Sequence, residues 1–126
     1  DGGVPLSKRE TLTDHFTDPI ASALRDHALT FPETTEGSSC VNRAFKVRKK
    51  NFLFVGEKED GSCKVMLKLG PSLGEAGGLD EGVDLGSNGW TTIRFAAADR
   101  PDLDRLRRWV DESYRLLAPK SLIRLL

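Results

Sequence analysis

The chain has 126 residues, 38% of them hydrophobic and 30% charged, which suits one domain built on one hydrophobic core. Nineteen Lys and Arg balance nineteen Asp and Glu, which excludes a uniformly basic protein held to nucleic acid by bulk charge and makes any cationic surface a local one. No apolar run approaches the roughly 20 residues of a membrane span and no signal-peptide pattern is seen, so a cytoplasmic protein without membrane association is expected.

Residues 1–17 mix Gly2, Gly3, Pro5, Ser7 and Thr11 with charges and hold only Leu6, Leu12 and Phe16 as large apolar residues, which reads as an N-terminal arm ahead of one domain over 18–126. Asp18-Pro19 is a helix start, with a carboxylate to accept orphan N–H groups and a proline where no N–H is needed. Ile20, Ala23, Leu24 and Ala28 recur at helical spacing, and Phe31-Pro32 stops the run, giving a helix over about 19–30. From Ala44 the period changes to two, with Phe45 and Val47 on one face and Lys46 and Arg48 on the other. Asn51 to Glu57 holds four apolar residues in a row, Phe52 to Val55, and reads as a central strand buried on both faces, with Phe45, Phe52 and Phe54 in the core.

A turn at Glu59-Asp60-Gly61-Ser62 leads to Cys63, Val65, Leu67 and Leu69 in alternation with Lys64, Met66 and Lys68, the third strand of an antiparallel meander. Residues 70–89 contain seven glycines and read as a loop, with a short turn of helix or strand near Leu79 to Leu85. Trp90 to Phe95 is a further strand. Asp99-Arg100-Pro101-Asp102 starts a helix that carries Leu103, Leu106, Val110, Tyr114 and Leu117 at three- and four-residue spacing and ends near Ala118-Pro119, before a tail of Lys120 to Leu126. The pattern is α+β.

Catalytic candidates are few. His15 and His27 lack zinc-site spacing and read as solvated; Cys40 and Cys63 form no CxxC pair and read as structural thiols in a reducing compartment. The glycines after residue 70 match neither GxGxxG at a strand-to-helix turn nor GxxxxGK followed by Ser or Thr, and nearby acids would repel phosphate. Asp80, Glu81 and Asp84 lack the ligand order of an EF-hand. Asp102, Asp104, Arg105, Arg107, Arg108, Asp111, Glu112 and Arg115 read as a solvated helix face. The expectation is a protein that is not an enzyme and has neither cofactor nor metal.

Charge placement says more. Residues 1–40 hold three bases and seven acids, residues 41–71 eight bases and three acids, and residues 72–88 four acids and no base. The meander is the basic segment. Arg48, Lys49 and Lys50 form a cationic hairpin tip, and alternation sends Lys46, Arg48, Lys64 and Lys68 to one sheet face. Such a wing suits a phosphate backbone, each charge releasing a counterion; charges that only protect strand edges and keep the chain soluble are the competing reading.

Four stretches resemble the MmcQ/YjbR-like family, formerly a domain of unknown function. Leu24 to Thr34, with Phe31-Pro32-Glu33, resembles its opening helix and exit. Ala44-Phe45-Lys46-Val47 with Lys50-Asn51-Phe52-Leu53-Phe54 resembles a hairpin usually of the form AFRVGGKIFA. Gly89-Trp90-Thr91-Thr92-Ile93 resembles its GWV-type strand. Glu112-Ser113-Tyr114-Arg115-Leu116-Leu117-Ala118-Pro119-Lys120 resembles its SYRLVAPK closing helix, the most specific of the four.

The resemblance covers about residues 19–120. It implies a two-layer sandwich, with the N-terminal helix and the long C-terminal helix packed on one face of an antiparallel sheet, grouped with secretion-chaperone-like folds. A double-wing arrangement suggestive of DNA binding is described for some members, and no catalytic residues belong to the pattern. On this reading Lys46, Arg48, Lys49, Lys50, Lys64 and Lys68 contact DNA phosphates. The alternative is a protein-interaction or chaperone-like module that takes another protein or a second copy, using an apolar patch such as Leu122, Ile123, Leu125 and Leu126. The chain departs from the family in having Cys40-Val41-Asn42 in place of a Trp-Gly-His type run, and Arg48-Lys49 in place of two glycines.

Overall fold

A computed structural model describes residues 16, 18–39, 42–78, 82–96, 99 and 101–126. Of the expected N-terminal arm only Phe16 is among them, half-buried against the core; the rest of residues 1–17, with His15, and also Cys40, Asp80 and Glu81 lie outside the described residues.

Helix α1 spans Pro19–Ala28 and is capped as the sequence demands: the Asp18 carboxylate accepts from the Ile20 and Ala21 N–H groups at 2.9 and 3.0 Å. It ends two residues earlier than expected, and Leu29 and Thr30 turn the chain toward Pro32. Six strands follow, β1 (Thr34–Ser39), β2 (Asn42–Val47), β3 (Lys50–Glu57), β4 (Cys63–Lys68), β5 (Val83–Leu85) and β6 (Trp90–Phe95). They form one antiparallel sheet in the order β1-β2-β3-β4-β6-β5. Short helix α2 (Leu73–Gly77) lies between β4 and β5, long helix α3 (Leu103–Leu117) follows β6, and α4 (Lys120–Ile123) closes the chain.

One sheet face carries the core. Leu53, Val55, Val65, Leu67, Ile93 and Phe95 point toward α1 and α3, which bring Ala21, Leu24, Ala28, Leu106, Trp109, Val110 and Tyr114. Burying each large apolar side chain contributes about 1.5–3 kcal/mol. Tyr114 sits at the centre, stacked on Phe31 at 4.7 Å and met edge-on by Phe52 at 5.2 Å, and its hydroxyl donates to the Pro32 carbonyl at 2.7 Å. This is the expected α+β sandwich, with the helices packed on one side of an antiparallel sheet.

Several parts depart from the sequence expectation. Strand β1 went unread because Thr-Thr-Glu-Gly-Ser-Ser holds no apolar residue; its inward-facing Glu36 is instead gripped by Arg25 of α1 and Arg43 of β2, with N···O distances of 2.9–3.1 Å. The glycine-rich stretch contains β5 within the segment near Leu79 to Leu85 where a short helix or strand is expected, but also α2 and a turn of 3-10 helix at Ser87–Gly89. Gly89 has φ of 86°, and a Cβ there would run into the Leu69 carbonyl oxygen, so glycine is required. Glu112 is not a solvated helix residue: its carboxylate accepts from the Gly70 N–H at 2.7 Å and from the Ser72 N–H and hydroxyl at 3.0 and 2.7 Å, clamping the exit of β4 onto α3. Of the tail, Lys120–Ile123 is helix α4; Leu122 is buried in the core, whereas Ile123 is half-buried and Leu125 and Leu126 are exposed. His27, read as solvated, is half-buried with its ring edge-on to Phe31 at 5.1 Å.

Candidate nucleic-acid interface

A bulge determines which side chains reach the other sheet face. Phe45 of β2 lies opposite Leu53 and Lys46 opposite Asn51, so Phe52 is the extra residue of β3. Phe52 and Leu53 are consecutive and both fully buried. Their neighbour Phe54 therefore turns away from the helices, where it is half-buried and meets Trp90 of β6 with ring centroids 6.2 Å apart and planes at 55°. Phe54 is thus not a core residue, contrary to the reading of Phe52 to Val55 as an uninterrupted buried run.

The same face carries Lys46, Lys64 and Lys68. Lys64 sits opposite Gly56 and Arg94, Lys68 opposite Trp90, and Met66 opposite Phe54 and Thr92. No described helix packs on this side. Lys64 and Lys68 are four residues apart on one strand, about 13 Å. Asp84 on neighbouring β5 faces the same way and pairs with Arg94.

Arg48 does not share this face. It occupies the two-residue turn between β2 and β3 with φ of 60°, the left-handed conformation that a glycine would adopt more cheaply. Its guanidinium donates to Glu33 in a fork, Nε to Oε1 at 2.7 Å and Nη2 to Oε2 at 3.1 Å. That bond holds the Glu33 carboxyl below its ordinary value and the Arg48 guanidinium above its own. Lys49 and Lys50 at the tip are exposed and border an open groove of about 670 Å³ whose other wall is Leu116, Ala118 and Pro119 at the end of α3.

The acidic N-terminal segment therefore neutralises part of the basic meander: Glu36 takes Arg43 and Glu33 takes Arg48. The lysines are spared. Among the described residues no carboxylate holds Lys46, Lys49, Lys50, Lys64 or Lys68 in an ion pair. Sequence reasoning found these five but missed Phe54 and Trp90 as their neighbours; the signal that could have found Trp90 is its place opposite Lys68 in a strand whose inward residues are Thr91, Ile93 and Phe95.

Other chemistry is sparse in this part of the chain. Among the described residues no three His, Cys, Asp or Glu side chains cluster as a metal site would require, and no helix is long and apolar enough to cross a membrane. Cys63 is 3% exposed, and burial, with Asp18, Glu57 and Asp60 nearby, pushes its thiol up to about 12, which suits a structural thiol rather than a nucleophile.

Comparison with curated proteins returns no match. The YjbR family model matches residues 29–116, from the end of α1 to the last turn of α3 and so across the whole sheet, and the chain belongs to the YjbR family.

Proposed function

We propose that the chain binds DNA through the sheet face that no described helix covers, with Lys46, Lys64 and Lys68 on backbone phosphates and Lys49 and Lys50 of the hairpin tip extending the contact. The observation that supports this most is the emergence of three lysines, without carboxylate partners among the described residues, on the one sheet face that no described helix covers. Each lysine that meets a phosphate releases a condensed counterion, so affinity is salt-dependent and weakly selective for sequence. Arg48 joins only by exchanging the Glu33 carboxylate for a phosphate.

The test is fluorescence anisotropy of labelled random-sequence DNA, annealed and unannealed, at roughly 50 and 200 mM salt. Micromolar or tighter binding that weakens steeply with salt supports the reading; no binding of either form at the lower salt refutes it. A second reading, docking of a protein partner, rests on the groove between Lys49, Lys50 and exposed Leu116. It gains ground if neither DNA form binds.

A further inference from the structure

We infer that the DNA taken by this face is single-stranded, with unpaired bases stacking on Phe54 and Trp90 while Lys46, Lys64 and Lys68 hold the phosphates. The inference rests on the DNA reading above and narrows it to one class of strand.

Phe54 and Trp90 have no part in the core. The aromatic residues that do, Phe31, Phe45, Phe52, Phe95, Trp109 and Tyr114, are at most 8% exposed and lie on the helix side of the sheet. Phe54 and Trp90 lie on the other side, half-buried, in contact with each other across β4. Met66 provides an apolar neighbour to Phe54, and Lys68 is the direct cross-strand neighbour of Trp90. Two aromatic rings beside a row of cations, on an otherwise polar sheet face, are the parts from which single strands are gripped: every base has a π-face, and stacking tolerates any sequence.

Shape argues against a duplex. Strands lie about 4.8 Å apart, so six of them make a face roughly 24 Å wide, whereas the major groove is about 12 Å wide and admits one helix or a two-stranded ribbon. A duplex would meet the outer face with its phosphates alone, and its bases, stacked on each other, would leave both rings unused. A single strand lying across β3, β4 and β6 uses the rings and the lysines together. Among the described residues charge is also complementary, since the face carries Lys46, Lys64, Lys68 and Arg94 against Asp84, already paired to Arg94.

The chain carries its own reporter. Of its two tryptophans, Trp90 is half-buried on this face and Trp109 is 1% exposed in the core, so stacking quenches the former alone. The experiment titrates the full chain with a labelled 12-nucleotide oligothymidylate, a 12-base-pair duplex and a single-stranded RNA of matched length at low salt, reading anisotropy and tryptophan emission. The expected result is at least tenfold tighter binding of oligothymidylate than of duplex, with quenching. Phe54→Leu and Trp90→Leu, which keep apolar bulk but remove the ring, each lower single-strand affinity about tenfold and leave duplex binding and thermal unfolding nearly unchanged.

Duplex bound as tightly as oligothymidylate, or single-strand affinity unchanged in both leucine variants, overturns the inference and leaves the DNA reading standing. Preference for RNA overturns the choice of DNA. No binding of any nucleic acid removes both.

Discussion

Ser113 of α3 donates its hydroxyl hydrogen to the carbonyl oxygen of Phe52, 61 residues earlier in the chain, at 2.6 Å. The Ser113 hydroxyl oxygen in turn accepts from the Lys68 N–H at 2.9 Å. The β3–β4 ladder ends at Leu53 opposite Leu67, one step short of these two groups, and the hydroxyl stands between them where a direct bond would continue it. The helix thus completes the sheet at the bulge that turns Phe54 outward.

Ser113→Ala removes that link and leaves the Phe52 carbonyl buried without its partner. The expected loss is about 1–3 kcal/mol of folding stability, read by urea unfolding. A change below about 0.5 kcal/mol, within the range of an ordinary surface substitution, would show that the hydroxyl is dispensable.

Glu112 gives the fold an acid limit. Burial works to raise its carboxyl, but the bonds from the Ser72 N–H and hydroxyl and the Gly70 N–H outweigh it and hold the pKa below the ordinary 4.5. A group whose folded pKa is depressed contributes stability above its unfolded pKa and loses it as pH falls through the folded value. Glu112→Gln is therefore less stable than the parent at pH 7, and the difference shrinks as pH drops below about 4.5 and through the folded value. Parallel stability curves across that range would contradict the assignment.

Cys63 is expected to be inert. With its thiol pushed up to about 12, chiefly by burial, almost no thiolate exists at pH 8. In a Cys40→Ser background the native protein should react with a disulfide reagent far more slowly than a free thiol and at the full rate only after denaturation. Fast native labelling would show that Cys63 opens to solvent.

The parts legible in the sequence are those where local chemistry and tertiary need agree. Asp18-Pro19 and Asp102 cap α1 and α3 as their side chains dictate, and the alternation of Cys63 to Leu69 places β4 with its lysines outward. Strand β1 was hidden because what faces inward is Glu36, satisfied by arginines from two other elements, and no period of apolar residues betrays an inward-facing carboxylate. Phe54 was hidden because a bulge resets alternation: four apolar residues in a row read as buried on both sides, and only the register of β2 against β3 reveals that the inward pair is Phe52 and Leu53. Of the site, charge segregation gave the lysines, whereas the pairing of Arg48 with Glu33, 15 residues apart, depends on how the turn before β1 meets the β2–β3 hairpin.

The most direct test of the DNA reading compares salt slopes. Each lysine that meets a phosphate contributes about 0.7–0.9 to the slope of log affinity against log salt. Replacing Lys46, Lys64 and Lys68 together by Ala should lower that slope by about 2–3 while leaving far-UV circular dichroism unchanged. An unaltered slope and affinity in the triple variant would place the DNA contact elsewhere, and contradict the assignment to the sheet face that no described helix covers.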